Sequence, residues 1–228
     1  LYNYLLALIV AITQEERLRV EVATLRAVRE GTPAPSQKFV NNKFALQLEE
    51  NIMLNEFLEH QKQSWKDDTE FVRRLCNTIE QSSAYVEYMS TSTSTYDEDK
   101  ELWRKLYRQI IQDNPDLDAL LEEKSLYWND DKEIVDTFVI KTIKKFDEAK
   151  KEQQELLPEY RDVEDKEFAR KLFRATILNA DQYQSYMSET SRNWDFSRLA
   201  YMDVVIMQIA IAEMLTFPSI PVSVTINE

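Results

Sequence analysis

A chain of 228 residues is long enough to bury a substantial core, and its net charge of −13 repels nucleic acid at long range. Its single glycine, Gly31, excludes phosphate-cradling loops, dinucleotide fingerprints and nucleophile elbows, all of which need glycine where backbone approaches a ligand. Its single cysteine, Cys76, excludes an internal disulfide and a cysteine-rich zinc site, and suits a reducing cytoplasm.

The chain opens with a helical pattern over Tyr2 to Glu30. The run Leu5–Ile12 is far shorter than the roughly 20 apolar residues that cross a bilayer, so it predicts a buried helix start and no membrane span. No basic segment precedes the run, which argues against a signal peptide. Leu18, Val22, Leu25 and Val28 continue it as an amphipathic stripe. The segment Gly31–Ser36, with two prolines, is the strongest break in the chain. A helix is predicted from Phe39 or Asn42 to Trp65, carrying Phe44, Leu48, Ile52, Phe57 and His60. Asp67–Glu70 reads as a capping box before Phe71, Leu75 and Ile79. Ser90–Thr95 reads as a solvated loop. Thr95–Glu98 is a second capping box, ahead of the stripe Leu102, Leu106, Ile110.

Asn114 and Pro115 start a short helix ending near Lys124. Asn129 is the expected cap of the next, with stripes Ile134, Phe138, Thr142 and Val135, Val139, Phe146. Lys150–Leu157 is a charged linker ended by Pro158, and a long helix is expected from Asp162 to about Ser188. The last predicted helix starts at Asp195 or Ser197 and is apolar nearly all round, through Leu199, Met202, Val205, Ile206, Ile209 and Met214. Such a helix must be surrounded by others, which makes it central. Pro218 and Pro221 close it and start another. The fold class is all-α: a multi-helix bundle divided into a helical region over 1–150 and a C-terminal helical unit over 158–228, or one continuous domain.

Chemistry-bearing constellations are few. The carboxylates of 148–165 lack the spaced ligands and glycine turn of a calcium loop and read as a solvated linker. His60 has Phe57, not a carboxylate, three residues before it, so no helical metal site is expected. Basic residues gather at Arg104, Lys105, Arg108 and at Lys141, Lys144, Lys145, either as RNA-contacting stripes or as the wet side of amphipathic helices. One histidine supports no nucleophilic constellation, so the chain is not expected to be an enzyme, and no cofactor is implied.

The C-terminal stretch carries four ordered elements: Trp194, Asp195 and Arg198; Asp203 opening an apolar helix; Ile-Ala-Ile-Ala-Glu-Met around Glu213; and Ile220-Pro221-Val222 leading through Val224 to Ile226-Asn227-Glu228. This resembles the transcription antitermination factor NusB, in a long variety with extra helices, strongly after Trp103 and weakly before it. Gln208 and Val204 stand where the family usually has arginine and a basic residue, and the family's arginine-rich N-terminal helix is not in this sequence. The chain reads as truncated at both ends. The resemblance implies a cytoplasmic, non-enzymatic RNA-binding adaptor in the RNA polymerase antitermination complex. It would pair with the ribosomal protein NusE on the leader of ribosomal RNA transcripts. It also implies that Asp203 faces NusE; Arg198 and Glu213 sit on family positions too, as partner contacts or as members of internal ion pairs, while Asn227 and Glu228 match the family's Asn-Glu, with a capping role equally in view. The basic stripe Lys141, Lys144, Lys145 is the candidate RNA contact. The alternative is a helical protein–protein scaffold that touches no RNA.

Overall fold

The apolar run that opens the chain becomes the inner half of α1 (Tyr2–Glu30), with Leu5, Leu6, Leu8, Ile9 and Ile12 all buried. Burying each such side chain stabilises the fold by about 1.5–3 kcal/mol. The computed structural model describes residues 1–158, 160–190 and 198–227, and every regular element among them is helical. They form two compact units, Leu1–Leu157 and Pro158–Glu228.

In the first unit α1 is the spine, touching α2 (Lys43–Glu49), α3 (Ile52–Gln61), α4 (Thr69–Glu80) and α8 (Trp128–Lys145). Tyr4 stacks on Trp65 at 4.2 Å, and the indole N–H of Trp65 donates to the Tyr4 carbonyl at 2.9 Å. The outer half of α1 departs from expectation. Leu18, Val22, Leu25 and Val28 are 58–77% exposed, so the stripe is uncovered. The helix stops where Gly31, at φ 69°, takes the left-handed conformation and donates its N–H to Ala27.

The single helix expected to reach Trp65 is instead two. Asn51 breaks it: its side-chain oxygen accepts from Leu54 N at 2.9 Å, and its Nδ2 donates to the Gln154 carbonyl at 2.7 Å. A local cap and a distant backbone partner together outweigh helix continuation. The capping box expected at Asp67–Glu70 does not form. The Asp68 carboxylate accepts from the Tyr4 hydroxyl at 3.2 Å and pairs with Lys124 at 3.3 Å, so it is spent elsewhere. The second box does form: Glu98 Oε2 accepts from Thr95 N at 2.7 Å, and Thr95 Oγ1 accepts from Glu98 N at 3.3 Å, starting α6 (Tyr96–Leu106). Ser82 caps the short α5 (Ser83–Met89).

After α6 a π turn, Tyr107–Ile111, inserts a wider loop of backbone. The register therefore advances, and Ile111 is buried where Ile110 was expected. Asn114 caps α7 (Pro115–Lys124), accepting from Asp116 and Leu117 N. Asn129 does not cap α8; it lies inside the first turn, and Tyr127 holds the cap position without a side-chain bond. The Lys150–Leu157 stretch is not a free linker. Gln47 Nε2 donates to the carbonyls of Asp147 and Lys151, both at 2.9 Å, Leu156 is buried, and Leu157 N donates to the Tyr2 hydroxyl at 3.2 Å.

Buried charge ties α1 to α4. Glu16 is 3% exposed, with Arg19 Nη1 at 3.3 Å, outside hydrogen-bond geometry, and its Oε1 has no hydrogen-bond partner. Arg19 also reaches Glu80 at 3.6 Å and Asn77 at 2.9 Å. Burial, then the Glu80 charge, pushes the Glu16 carboxyl up to about 7. Burial likewise pushes the Cys76 thiol far up, beside the Ile12 carbonyl.

The second unit comprises α9 (Val163–Leu178), α10 (Ala180–Thr190), α11 (Tyr201–Thr216) and α12 (Val222–Asn227). Asp162 caps α9 through Asp165 N at 2.9 Å. The long helix expected here is broken at Asn179, whose Nδ2 turns back onto the Ala175 carbonyl at 2.9 Å. α11 is central in that α9, α10 and α12 all contact it. Phe168 meets Phe217 at 4.5 Å, Gln208 Nε2 donates to the Ala180 carbonyl at 3.2 Å, and Ala212 is buried. It is not enclosed, however, and a large part of its apolar circumference faces out.

Candidate partner and nucleic-acid interface

On α11, residues 202, 206 and 209 recur at helical spacing and so share one face. Met202 is 61%, Ile206 59% and Ile209 41% exposed. A row of exposed apolar side chains on one helix face is a candidate interaction surface. Asp203 sits in the first turn, exposed at the edge of the strip, where the helix dipole favours a carboxylate. Glu213 lies at the far end, half-buried. Arg198 is exposed just before the helix.

These three charges are not gathered at one point. Asp203 and Glu213 are ten residues apart, about 15 Å along the helix axis. Among the described residues none of the three forms an ion pair. They frame the strip from its two ends instead. The arrangement suits a protein partner that presents apolar side chains with basic residues at their margin. The cap candidates Asp195 and Ser197, Trp194 beside them, and Glu228 lie outside the described residues. The helix itself begins at Tyr201, with Ala200 at the cap position and no side-chain cap. Asn227 ends α12 and is exposed.

The two basic clusters differ. Arg104 is bound through Nε to Glu101 at 2.6 Å and Lys105 reaches Glu87 at 3.5 Å, so two of the three cations of that group are paired in place, while Arg108 has no ion pair among the described residues. Lys141, Lys144 and Lys145 lie on the exposed side of α8 and have no ion pair among the described residues. The opposite side of α8 buries Val139, Ile140 and Ile143. Lys141 Nζ stands 5.9 Å from the Phe138 ring, and Lys144 and Lys145 end the helix, where its dipole favours cations. Such a stripe can hold a phosphate backbone without reading bases.

No group of three or more histidine, cysteine or carboxylate side chains among the described residues could hold a metal ion, and His60 is exposed beside Gln61. No helix among them is long and apolar enough to cross a membrane. Two features escape the sequence reading: the exposed strip of α11 and a cationic row on α9. Spacing could have revealed the second, since 166, 170 and 174 are all basic.

The model of the NusB family matches residues 131–228, from the first turn of α8 to the last residue. The transcription antitermination protein NusB of Chloroherpeton thalassium is 36% identical over 67 residues, covering 29% of this chain and 32% of that protein. Those of Geobacter sp. (strain M21) and Dictyoglomus thermophilum are 38% and 39% identical over 61 residues, each covering 27% of this chain and 42% of the relative. The chain thus spans well under half the length of these relatives. No solved structure matches it.

Proposed function

We propose, from a chain that is NusB-like over residues 131–228, that it serves as a transcription antitermination factor acting through binding rather than catalysis, in the cytoplasm. The observation that carries this reading is the α11 strip with Asp203 at its edge, inside the segment that matches the family. In this reading NusE docks on Met202, Ile206 and Ile209, with a basic residue opposite Asp203 and further contacts at Arg198 and Glu213. The stripe Lys141, Lys144, Lys145 holds phosphates of a ribosomal leader RNA, and the joint complex helps the polymerase resist termination. The two regions, 1–150 and 158–228, divide the work, with the family-like segment taking in the end of the first from residue 131.

The test is NusE binding by the chain and by Asp203→Lys. The substitution is expected to weaken binding by tenfold or more while thermal melting stays unchanged. Equal affinity would remove Asp203 from the interface. A protein-only scaffold is the second reading, favoured by the net charge of −13 and by the exposed α1 stripe. RNA affinity that falls steeply with salt supports the adaptor; partner binding indifferent to salt, without RNA affinity, supports the scaffold.

A further inference from the structure

The outward arc of α9 carries Lys166, Arg170 and Arg174 at successive four-residue steps, with Phe173 and Ile177 between and below them. All five side chains are exposed, Phe173 at 66% and Ile177 at 57%. At helical spacing Glu164 and Asp165 fall outside this arc, and of the α9 carboxylates Glu167 alone borders it, beside Arg170 and Arg174. Among the described residues none of the three cations is in an ion pair. Several cations elsewhere, Arg17, Arg19, Arg73, Arg74, Arg104 and Lys132, are each held by carboxylates, while Arg26, Arg29 and Arg108 share the unpaired state but form no row with an exposed aromatic. A chain this acidic has carboxylates to spare, so a row left without them is available for an outside anion.

We propose that this face of α9 is a contact for single-stranded RNA, with phosphates on Lys166, Arg170 and Arg174 and a base stacked on Phe173. The inference rests on the RNA-binding reading above and adds a second surface to it. Three arguments favour RNA over an acidic protein. The cations are about 6 Å apart per step along the axis, a regular row suited to the repeating charge of a phosphate backbone. Two of the three are arginines, whose planar forks bind phosphate oxygens in pairs. An exposed phenylalanine among cations is the stacking platform that splayed bases use, and stacking is indifferent to sequence. α9 therefore supplies affinity and position but no sequence reading.

The experiment is fluorescence anisotropy of the full chain with a single-stranded ribosomal leader oligonucleotide, over a series of salt concentrations. Its variants are K166Q/R170Q/R174Q, Phe173→Ala and, as reference, K141Q/K144Q/K145Q. All these side chains are solvent-facing, and circular dichroism checks that each variant folds. The α9 triple variant is expected to flatten the slope of log affinity against log salt by about 2, since each phosphate contact on a single strand contributes about 0.7. Phe173→Ala is expected to weaken binding about fivefold or more without changing that slope. Wild-type affinity and slope in the α9 triple variant, with a loss in the α8 variant, would overturn this face alone. No RNA binding by the wild-type chain would overturn the RNA reading of the chain and this face with it. Retained RNA binding with loss of an acidic protein partner in the α9 variant would assign the row to protein recognition and overturn the proposal.

Discussion

Glu16→Gln makes the sharpest test of the packing between α1 and α4. The carboxyl is 3% exposed, one of its oxygens has no hydrogen-bond partner, and Arg19 is shared among Glu15, Glu16 and Glu80. Burial and the Glu80 charge raise it from 4.5 to about 7. A carboxyl raised in the folded state binds its proton more tightly there than in the unfolded chain. Its contribution to stability is fully present below about pH 4.5 and is lost as pH rises through about 7. The difference between those values corresponds to about 3 kcal/mol at full weight. Arg19 is 27% exposed, and solvent at the rim of the cluster screens part of this, leaving about 2 kcal/mol.

A neutral amide of the same shape removes that loss. Glu16→Gln is expected to match the wild type at pH 4 and to exceed it by about 2 kcal/mol at pH 8. Urea unfolding followed by tryptophan fluorescence reads the right unit, because Trp65, Trp103 and Trp128 are all buried within it. A variant less stable than wild type at pH 8 would refute the reasoning. It would mean that the ionised Glu16–Arg19 pair is net stabilising and that breaking it leaves Arg19 uncompensated.

Two further substitutions address the breaks in the first unit. Asn51→Ala removes the cap on Leu54 N and the bond to the Gln154 carbonyl, and is expected to cost about 2–3 kcal/mol in urea unfolding; a loss under 0.5 kcal/mol would mean that Asn51 marks the break without holding it. Tyr107→Phe strips Asp136 of a hydroxyl donor at 2.6 Å. Burial already raises the Asp136 carboxyl, and the Tyr107 bond opposes that rise, so the loss of about 1–3 kcal/mol is expected to be larger at pH 7 than at pH 4. An equal loss at both values would mean that Asp136 keeps one protonation state across that range and would refute the titration.

Element existence was legible because apolar residues recur at helical spacing through most of the chain, and capping at Thr95 and Asn114 was legible because those bonds close within three residues. What misled was competition from a distance. Asn51 reads as a tolerable helix residue until Gln154, more than a hundred positions on, offers its carbonyl. Asp68 reads as part of a capping box until Tyr4 and Lys124 claim its oxygens. The segment after Lys150 reads as linker because its own side chains are charged, yet Gln47, Asn51 and Tyr2 fasten its backbone. Backbone hydrogen bonding carries no composition signature, so such segments are invisible to hydropathy.

The candidate site was legible by position and not by environment. An apolar stretch on both sides of a helix has two physical outcomes, enclosure by neighbours or exposure awaiting a partner, and the sequence is the same for both. α11 takes the second: three helices cover part of it and leave Met202, Ile206 and Ile209 bare. The charges divide in the same manner. In the first unit many cations sit in ion pairs that stitch helices together, as Arg17 does to Glu49 at 2.8 Å and Lys132 to Asp118 at 2.8 Å. Along α8 and α9, both within the NusB-like segment, Lys141, Lys144, Lys145, Lys166, Arg170 and Arg174 stand unpaired among the described residues. Exposed ion pairs contribute little to stability, so leaving these cations without carboxylates costs the fold little. The bare side chains of α11 and these cations lie within residues 131–228, the part of the chain that is similar to NusB, and they are the groups that the proposed binding uses; the exposed α1 stripe and the unpaired Arg26, Arg29 and Arg108 lie outside it and call for a separate account.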